Sequence, residues 1–197
     1  MIQIRQYQPA MELACCWSGA FTAEECDKIR EFGELHEFVK ARIGESSIGN
    51  LNDHVRDTNI VWLTPSEEAA WVFKRMEELA SYINYEKFGL DLTEFDGFQY
   101  SKYKIDGHYD WHIDTMLSPA DGLFRKLSFV VMLTEPDEYE GGDFLLNDGG
   151  NQLNCRIMRP KKGDMMVFLS HVPHKVDKVT SGNRITLVTW AKGPKPV

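Results

Sequence analysis

Hydrophobic and polar positions along this chain follow two different rhythms. Before residue 95 the period is helical. Thr22, with Glu25 three residues on, forms a capping box, and Cys26, Ile29 and Phe32 or Gly33 follow at helical spacing. A second helix is expected to open at Thr64-Pro65-Ser66-Glu67, which supplies an N-cap, a proline at the first helical position and an acidic first turn. Its apolar stripe runs Ala69, Val72, Phe73, Met76, Leu79, Ala80 and Ile83, with an end expected near Gly89. Residues 40–57 are polar, contain glycine and serine and show little periodicity, so they read as a long loop of the kind that often forms a lid.

From about residue 95 the texture changes to short strands separated by turn residues. Strands are expected at 97–105, 109–115, 126–134, 142–147, 154–158, 164–169, 173–179 and 184–191, with breaks at Asp106-Gly107, Pro136 to Gly142, Asp148-Gly149-Gly150, Lys162-Gly163-Asp164 and Ser181-Gly182-Asn183. Such a series predicts a mainly β chain with flanking helices (α+β). Its core, residues 95–197, is expected to be a jelly roll (double-stranded β-helix), and residues 1–94 an N-terminal helical extension packed on that core in one compact domain.

Composition narrows the class without changing that picture. A chain of 197 residues, 43% hydrophobic and 26% charged, fits a single globular domain. Its 22 basic and 30 acidic residues give a net charge of −8, which argues against a duplex nucleic-acid binder. No apolar run reaches the length of a membrane span, and the start, MIQIRQYQPA, lacks the pattern of a secretory signal, so a cytoplasmic location is expected. Cys15, Cys16, Cys26 and Cys155 have no C-x-x-C spacing and are expected to be reduced thiols rather than a zinc site. Nor does the chain contain a P-loop, a G-x-G-x-x-G, an H-E-x-x-H or a G-x-S-x-G, so most common chemistries lack support.

The informative string is Gly107-His108-Tyr109-Asp110-Trp111-His112-Ile113-Asp114. Residues two apart on a strand share a face, so His112 and Asp114 aim an imidazole and a carboxylate at one point. A further histidine comes from Phe168-Leu169-Ser170-His171-Val172-Pro173-His174, where His174 is favoured and His171 competes. Two histidines and one carboxylate leave open positions on an octahedral ion, the facial triad of non-haem Fe(II) oxygenases. Arg184, ten residues after His174, opens a strand and offers a guanidinium fork for the far carboxylate of a chelating 2-oxo acid. Tyr103, nine residues before His112, offers a phenolic hydrogen bond to the same cosubstrate. By parity His108 falls with His112, either as a group beside the metal or the substrate or as a simply exposed residue, whereas Trp111 packs on the opposite face. Tyr109, Trp62, Asn59 and Arg56 are candidates for the substrate opening, and His36 and His54 read as solvated, with His54 a lesser candidate at the opening.

At this point the chain resembles the Fe(II)/2-oxoglutarate dioxygenases, within them the prolyl and lysyl hydroxylase-like, PKHD-type group. The resemblance covers roughly residues 95 to 193. It rests on Tyr103, Gly107, Tyr109, His112-Ile113-Asp114, Arg125-Lys126-Leu127-Ser128, the run Leu133 to Asp143, Gly163-Asp164, Phe168, His174, Val176, Val179-Thr180, Gly182 and Arg184. It implies Fe(II) on His112, Asp114 and His174, and 2-oxoglutarate held at its distal carboxylate by Arg184 and a hydroxyl such as that of Tyr103. It also implies O2 as cosubstrate, ascorbate as reductant, and hydroxylation of an aliphatic C–H with release of succinate and CO2, peptidyl proline being the leading substrate. Where animal prolyl hydroxylases place a tyrosine on the strand after Arg125, this chain has Met132. Alternatives are a hydroxylase of a small molecule or free amino acid and a non-catalytic metal-binding jelly-roll module. A nucleic-acid dealkylase fits less well, because the second arginine such enzymes carry six residues after the first is Trp190 here. A polypeptide or small-molecule partner, no duplex nucleic acid and no membrane are therefore expected.

Overall fold

The computed structural model describes residues 12–43, 51–115, 121–147, 149 and 155–195. Helix α1 (Ala23–Glu34) starts at its capping box. The Glu25 N–H donates to Thr22 Oγ1 at 3.2 Å while the Thr22 N–H donates to Glu25 Oε2 at 2.8 Å. Helix α2 (Ala70–Ile83) begins later than its sequence pattern suggests. Ser66, not Thr64, takes the orphan donors, since the Ala69 N–H reaches Ser66 Oγ at 3.2 Å and the Ala70 N–H reaches the Ser66 carbonyl at 2.8 Å. Past Ile83 the chain widens into a π-turn, Asn84–Phe88, and stops at Gly89, whose φ of +63° suits glycine.

Fourteen strands follow in chain order among the described residues: β1 (Ala14–Trp17), β2 (Val39–Lys40), β3 (Arg56–Asp57), β4 (Asn59–Leu63), β5 (Glu94–Tyr103), β6 (His108–His112) and β7 (Leu123–Met132). Then come β8 (Tyr139–Gly141), β9 (Phe144–Leu146), β10 (Arg156–Met158), β11 (Met165–Leu169), β12 (His174–Val176), β13 (Val179–Gly182) and β14 (Arg184–Pro194). Seven form one sheet in the order β1-β11-β7-β14-β5-β4-β2, and five form a second in the order β10-β9-β12-β6-β3. All pairings are antiparallel, and β8 and β13 make a small separate ladder. These are the two sheets of a jelly roll. One expected strand is divided, the run 173–179 splitting into β12 and the start of β13. β9 falls inside the expected run 142–147, while β8 forms within the expected break and ends at Gly141 and Gly142, at φ +70° and +62°.

The first 94 residues carry the two helices of the expected extension, and they also supply β1 to β4, with β1 and β4 laddered into the large sheet and β3 onto β6. The large sheet is buried on both faces, which explains its nearly continuous apolar strands. One face meets the helices: Tyr100 lies where a Cβ on Gly33 would reach within 2.6 Å of its ring, and Phe98 stacks against Phe73 at 4.3 Å. Residues of the opposite parity, such as Gln99 and Tyr103 on β5 and Arg184, Thr186 and Val188 on β14, line a cavity between the sheets. All four cysteines are free thiols, and burial pushes those of Cys15 and Cys26 up, to about 11 and about 12, consistent with inert packing groups.

Candidate metal and cosubstrate site

The cavity has a volume of about 700 Å³. On its small-sheet wall β12 pairs with β6 so that His174 faces His112 directly, and Asp114 follows just past the end of β6. Ligand atoms of His112, Asp114 and His174 all lie within 4.8 Å of one another. Each histidine is oriented by its own backbone. Nδ1 of His112 lies 2.7 Å from the Asp110 carbonyl and Nδ1 of His174 lies 3.0 Å from that of Val172. With the proton on Nδ1 donated to those carbonyls, the Nε2 lone pairs turn inward, which is the arrangement metal-binding imidazoles adopt. They lie 3.7 Å and 3.5 Å from the two oxygens of Asp114.

Asp114 is pinned from behind. Its N–H donates to the Ser170 carbonyl at 2.8 Å, and its Oδ2 accepts from the Ser128 hydroxyl at 2.7 Å, which in turn meets Ser170 Oγ at 2.9 Å. Burial opposes ionisation of this carboxyl, but His174, His112 and the Ser128 hydroxyl outweigh it and hold it below its usual range. Burial, then the proximity of His174, pushes His112 down to about 3. The pocket thus presents two imidazoles and a carboxylate. That N2O donor set fits an Fe(II)-type site with open positions better than a closed tetrahedral zinc site.

Arg184 opens β14 directly opposite Tyr103 on β5, and both side chains line the cavity. Arg184 is 1% exposed, and its Nε and Nη2 have no hydrogen-bond partner among the described residues. A buried cation with unspent donors is costly unless an anion meets it. Gly142 keeps the space open, since a Cβ there would come within 3.0 Å of Arg184 Cδ. The residues therefore fit a carboxylate-bearing chelator as well as a metal ion. Met132 is fully buried and does not line the cavity, so it takes no part in that wall.

Residues 98–192 carry the pattern of the 2OG-Fe(II) oxygenase superfamily. This stretch matches the family model under that description. A PKHD-type hydroxylase of Colwellia psychrerythraea is 32% identical over 97 residues, which are 49% of this chain and 42% of that protein. The match thus spans less than half the length of that relative. A prolyl-4-hydroxylase of Pseudomonas putida superposes with a TM-score of 0.70 at 22% identity, over 93% of this chain and 94% of its own. A prolyl hydroxylase of Trichoplax adhaerens, solved with a peptide fragment of the hypoxia inducible factor oxygen degradation domain, gives a TM-score of 0.73 at 16% identity, over 91% of this chain and 83% of its own. These structures share the double-stranded β-helix fold with this chain.

The remaining sequence candidates separate clearly. His171 is exposed on the turn before β12, outside the His112–Asp114–His174 cluster. His108 does not share the face of His112. One extra residue on β6 lies between the pairs His174↔His112 and Val176↔Tyr109, a β-bulge that reverses the parity. Tyr109 consequently lines the cavity and stacks on His112 with ring centroids 3.5 Å apart, while the His108 ring turns to the carbonyls of Asp106 and His54. Trp62 and Arg56 also line the cavity, whereas Asn59 does not. His36 and His54 are exposed. Trp111 meets Lys175 on the far side of β6, 5.5 Å from its ring. Of the expected lid, residues 44–50 lie outside the described residues, and Lys40, Arg42, Leu51 and Arg56 on its flanks line the cavity mouth. Among the described residues no helix is long and apolar enough to cross a membrane.

Proposed function

We propose that this protein is an Fe(II)- and 2-oxoglutarate-dependent dioxygenase that hydroxylates an aliphatic C–H of a polypeptide, with peptidyl proline as the leading residue. The observation that carries the reading is a facial His112–Asp114–His174 cluster sharing one cavity with a buried guanidinium, Arg184, whose Nε and Nη2 have no hydrogen-bond partner among the described residues. When bound, Fe(II) and 2-oxoglutarate supply the oxidising chemistry, turning O2 and the cosubstrate into succinate, CO2 and a hydroxylated product.

The chain's own part is placement. His112 and His174 turn Nε2 inward because their Nδ1 atoms are committed to backbone carbonyls. Asp114 supplies the third ligand, and the Ser128 hydroxyl fixes which oxygen remains free. Arg184 holds the distal carboxylate of 2-oxoglutarate, and Tyr103, across the ladder from it, offers its hydroxyl to the same group. Phe144 and Phe168 pack against the His174 ring and keep water from that flank, while ascorbate is the expected reductant. At the outer end Val39, Leu51 and Trp62 line the mouth with 51%, 54% and 46% of their surfaces exposed, an apolar opening that suits a chain segment better than a small metabolite. The Trichoplax neighbour bound to a peptide supports the same class of substrate.

The test is succinate formation from 2-oxoglutarate under air, with Fe(II) and ascorbate, followed by a search for a +16 Da product on proline-containing peptides. Turnover should vanish in His174→Ala and persist in His171→Ala. Loss in the His171 variant alone would overturn the ligand set, and wild-type protein that binds metal without turnover on any peptide or metabolite pool would leave the metal-binding module.

A further inference from the structure

Resting on that hydroxylase reading, we propose that the polypeptide substrate is acidic: a carboxylate close to the oxidised residue docks on Arg56 at the cavity mouth. The charges lining the cavity are mostly positive in a chain whose net charge is −8. Most of those cations are already matched. Lys40 is paired with Asp57, and Arg125 donates to Asp96 at 2.6 Å. Arg184 lies opposite Tyr103 and is assigned to the cosubstrate. Arg56 is different. Among the described residues no carboxylate pairs with it, its buried Nε has no partner, and the one hydrogen bond it makes is a long one, 3.5 Å, to the Arg42 carbonyl.

Its position is fixed rather than free. Arg56 faces Tyr109 in the β3–β6 ladder, and its guanidinium carbon sits 4.4 Å over the Tyr109 ring, which itself stacks on His112. The cation is therefore held on the substrate side of a metal ligand, two stacked rings out from the ion site. A guanidinium held flat on an aromatic face keeps its edge donors for a planar anion, and a carboxylate matches that fork. Because little side-chain freedom is left to lose, such a contact yields more of its strength as affinity. The half-exposed apolar groups beside it, Val39, Leu51 and Trp62, suit a segment that carries its acid next to apolar residues. A nucleic acid also carries anions, but the acidic average of the chain would repel a polyanion over most of its surface.

The experiment uses full-length protein loaded with Mn(II) and 2-oxoglutarate. Fluorescein-labelled nonapeptide pools, randomised at the centre and differing only in Asp/Glu against Asn/Gln at the flanks, are titrated by anisotropy alongside a single-stranded oligothymidylate. The acidic pool should bind about tenfold more tightly than the amide pool, as expected for one charge-assisted contact. Arg56→Gln should erase that preference and Arg56→Lys should keep most of it, which separates charge from stacking. Equal binding of the two pools, a preference that survives Arg56→Gln, tighter binding of the oligonucleotide, or no binding of any pool would each overturn the inference. Calorimetric 2-oxoglutarate binding in the same samples distinguishes the two failures. If 2-oxoglutarate binds and the peptides are charge-blind, only the acidic substrate is lost; if 2-oxoglutarate does not bind, the hydroxylase reading falls with it.

Discussion

Replacing Arg184 with methionine separates a cosubstrate anchor from a structural brace. The guanidinium is buried with two donor nitrogens unpartnered, so without ligand it is a liability. Arg184→Met should then be no less stable than wild type when neither has ligand. With ligand the order reverses. Two charge-assisted hydrogen bonds to a carboxylate at about 1.5 kcal/mol each, the low end of the usual range, raise the dissociation constant about 150-fold when lost. At a 2-oxoglutarate concentration a hundredfold above the wild-type constant, wild type gains about 2.7 kcal/mol, and the variant gains about 0.3 kcal/mol. For a chain of this length the corresponding rise in Tm is about 5–11 °C in wild type against about 1 °C in the variant. The assay is differential scanning fluorimetry with Mn(II) present and 2-oxoglutarate varied. A variant that keeps the full ligand-induced shift refutes the assignment of Arg184, and one that melts far below wild type without ligand shows that the guanidinium braces the β14–β5 ladder instead.

Two further outcomes follow from the geometry around this site. Gly142→Ala places a Cβ 3.0 Å from both Arg184 Cδ and Val179 Cγ2 at a φ of +62°, so it should cost about 1–2 kcal/mol and also weaken 2-oxoglutarate binding. Gly19→Ala has a similar φ of +67° but open space around it, and should lose stability by the same strain while calorimetry finds 2-oxoglutarate affinity unchanged. At the end of α1, Glu34 accepts from the Tyr100 hydroxyl at 2.9 Å and from Lys102 at 2.8 Å. Burial works to raise its carboxyl, but those donors prevail and hold it below its ordinary value of 4.5. Its stabilising effect is therefore present above that value and lost as pH falls through the lowered one. Urea midpoints of wild type and Glu34→Gln should converge as the pH falls below 4.5; a gap that is constant with pH would refute the ion-pair account.

The chemistry was legible where the ladder is regular and hidden where it is not. His112, Asp114, His174 and Arg184 could be read from spacing because each lies at or just past a strand end, where a single parity rule holds over two or three residues. The same rule fails four residues earlier on β6. His108 and His112 share parity on paper, but the bulge that β12 imposes gives the inward position to Tyr109. Nothing within Gly107 to His112 announces that extra residue, because its cause is a partner strand more than sixty residues away. Strands β1 to β4 escaped for a related reason. They are two to five residues long, and only the edges of the sheets they complete make them strands. Arg56 shows the functional consequence. In the sequence it is one of four candidates for the substrate opening, and a particular role for it emerges only once β3 sets it against Tyr109 and Tyr109 is turned onto His112. In this fold the residues proposed to hold metal and cosubstrate are specified locally, along single strands. Those that face the substrate are placed by pairing between distant strands, so a change of substrate can come from the ladder without any change in the triad.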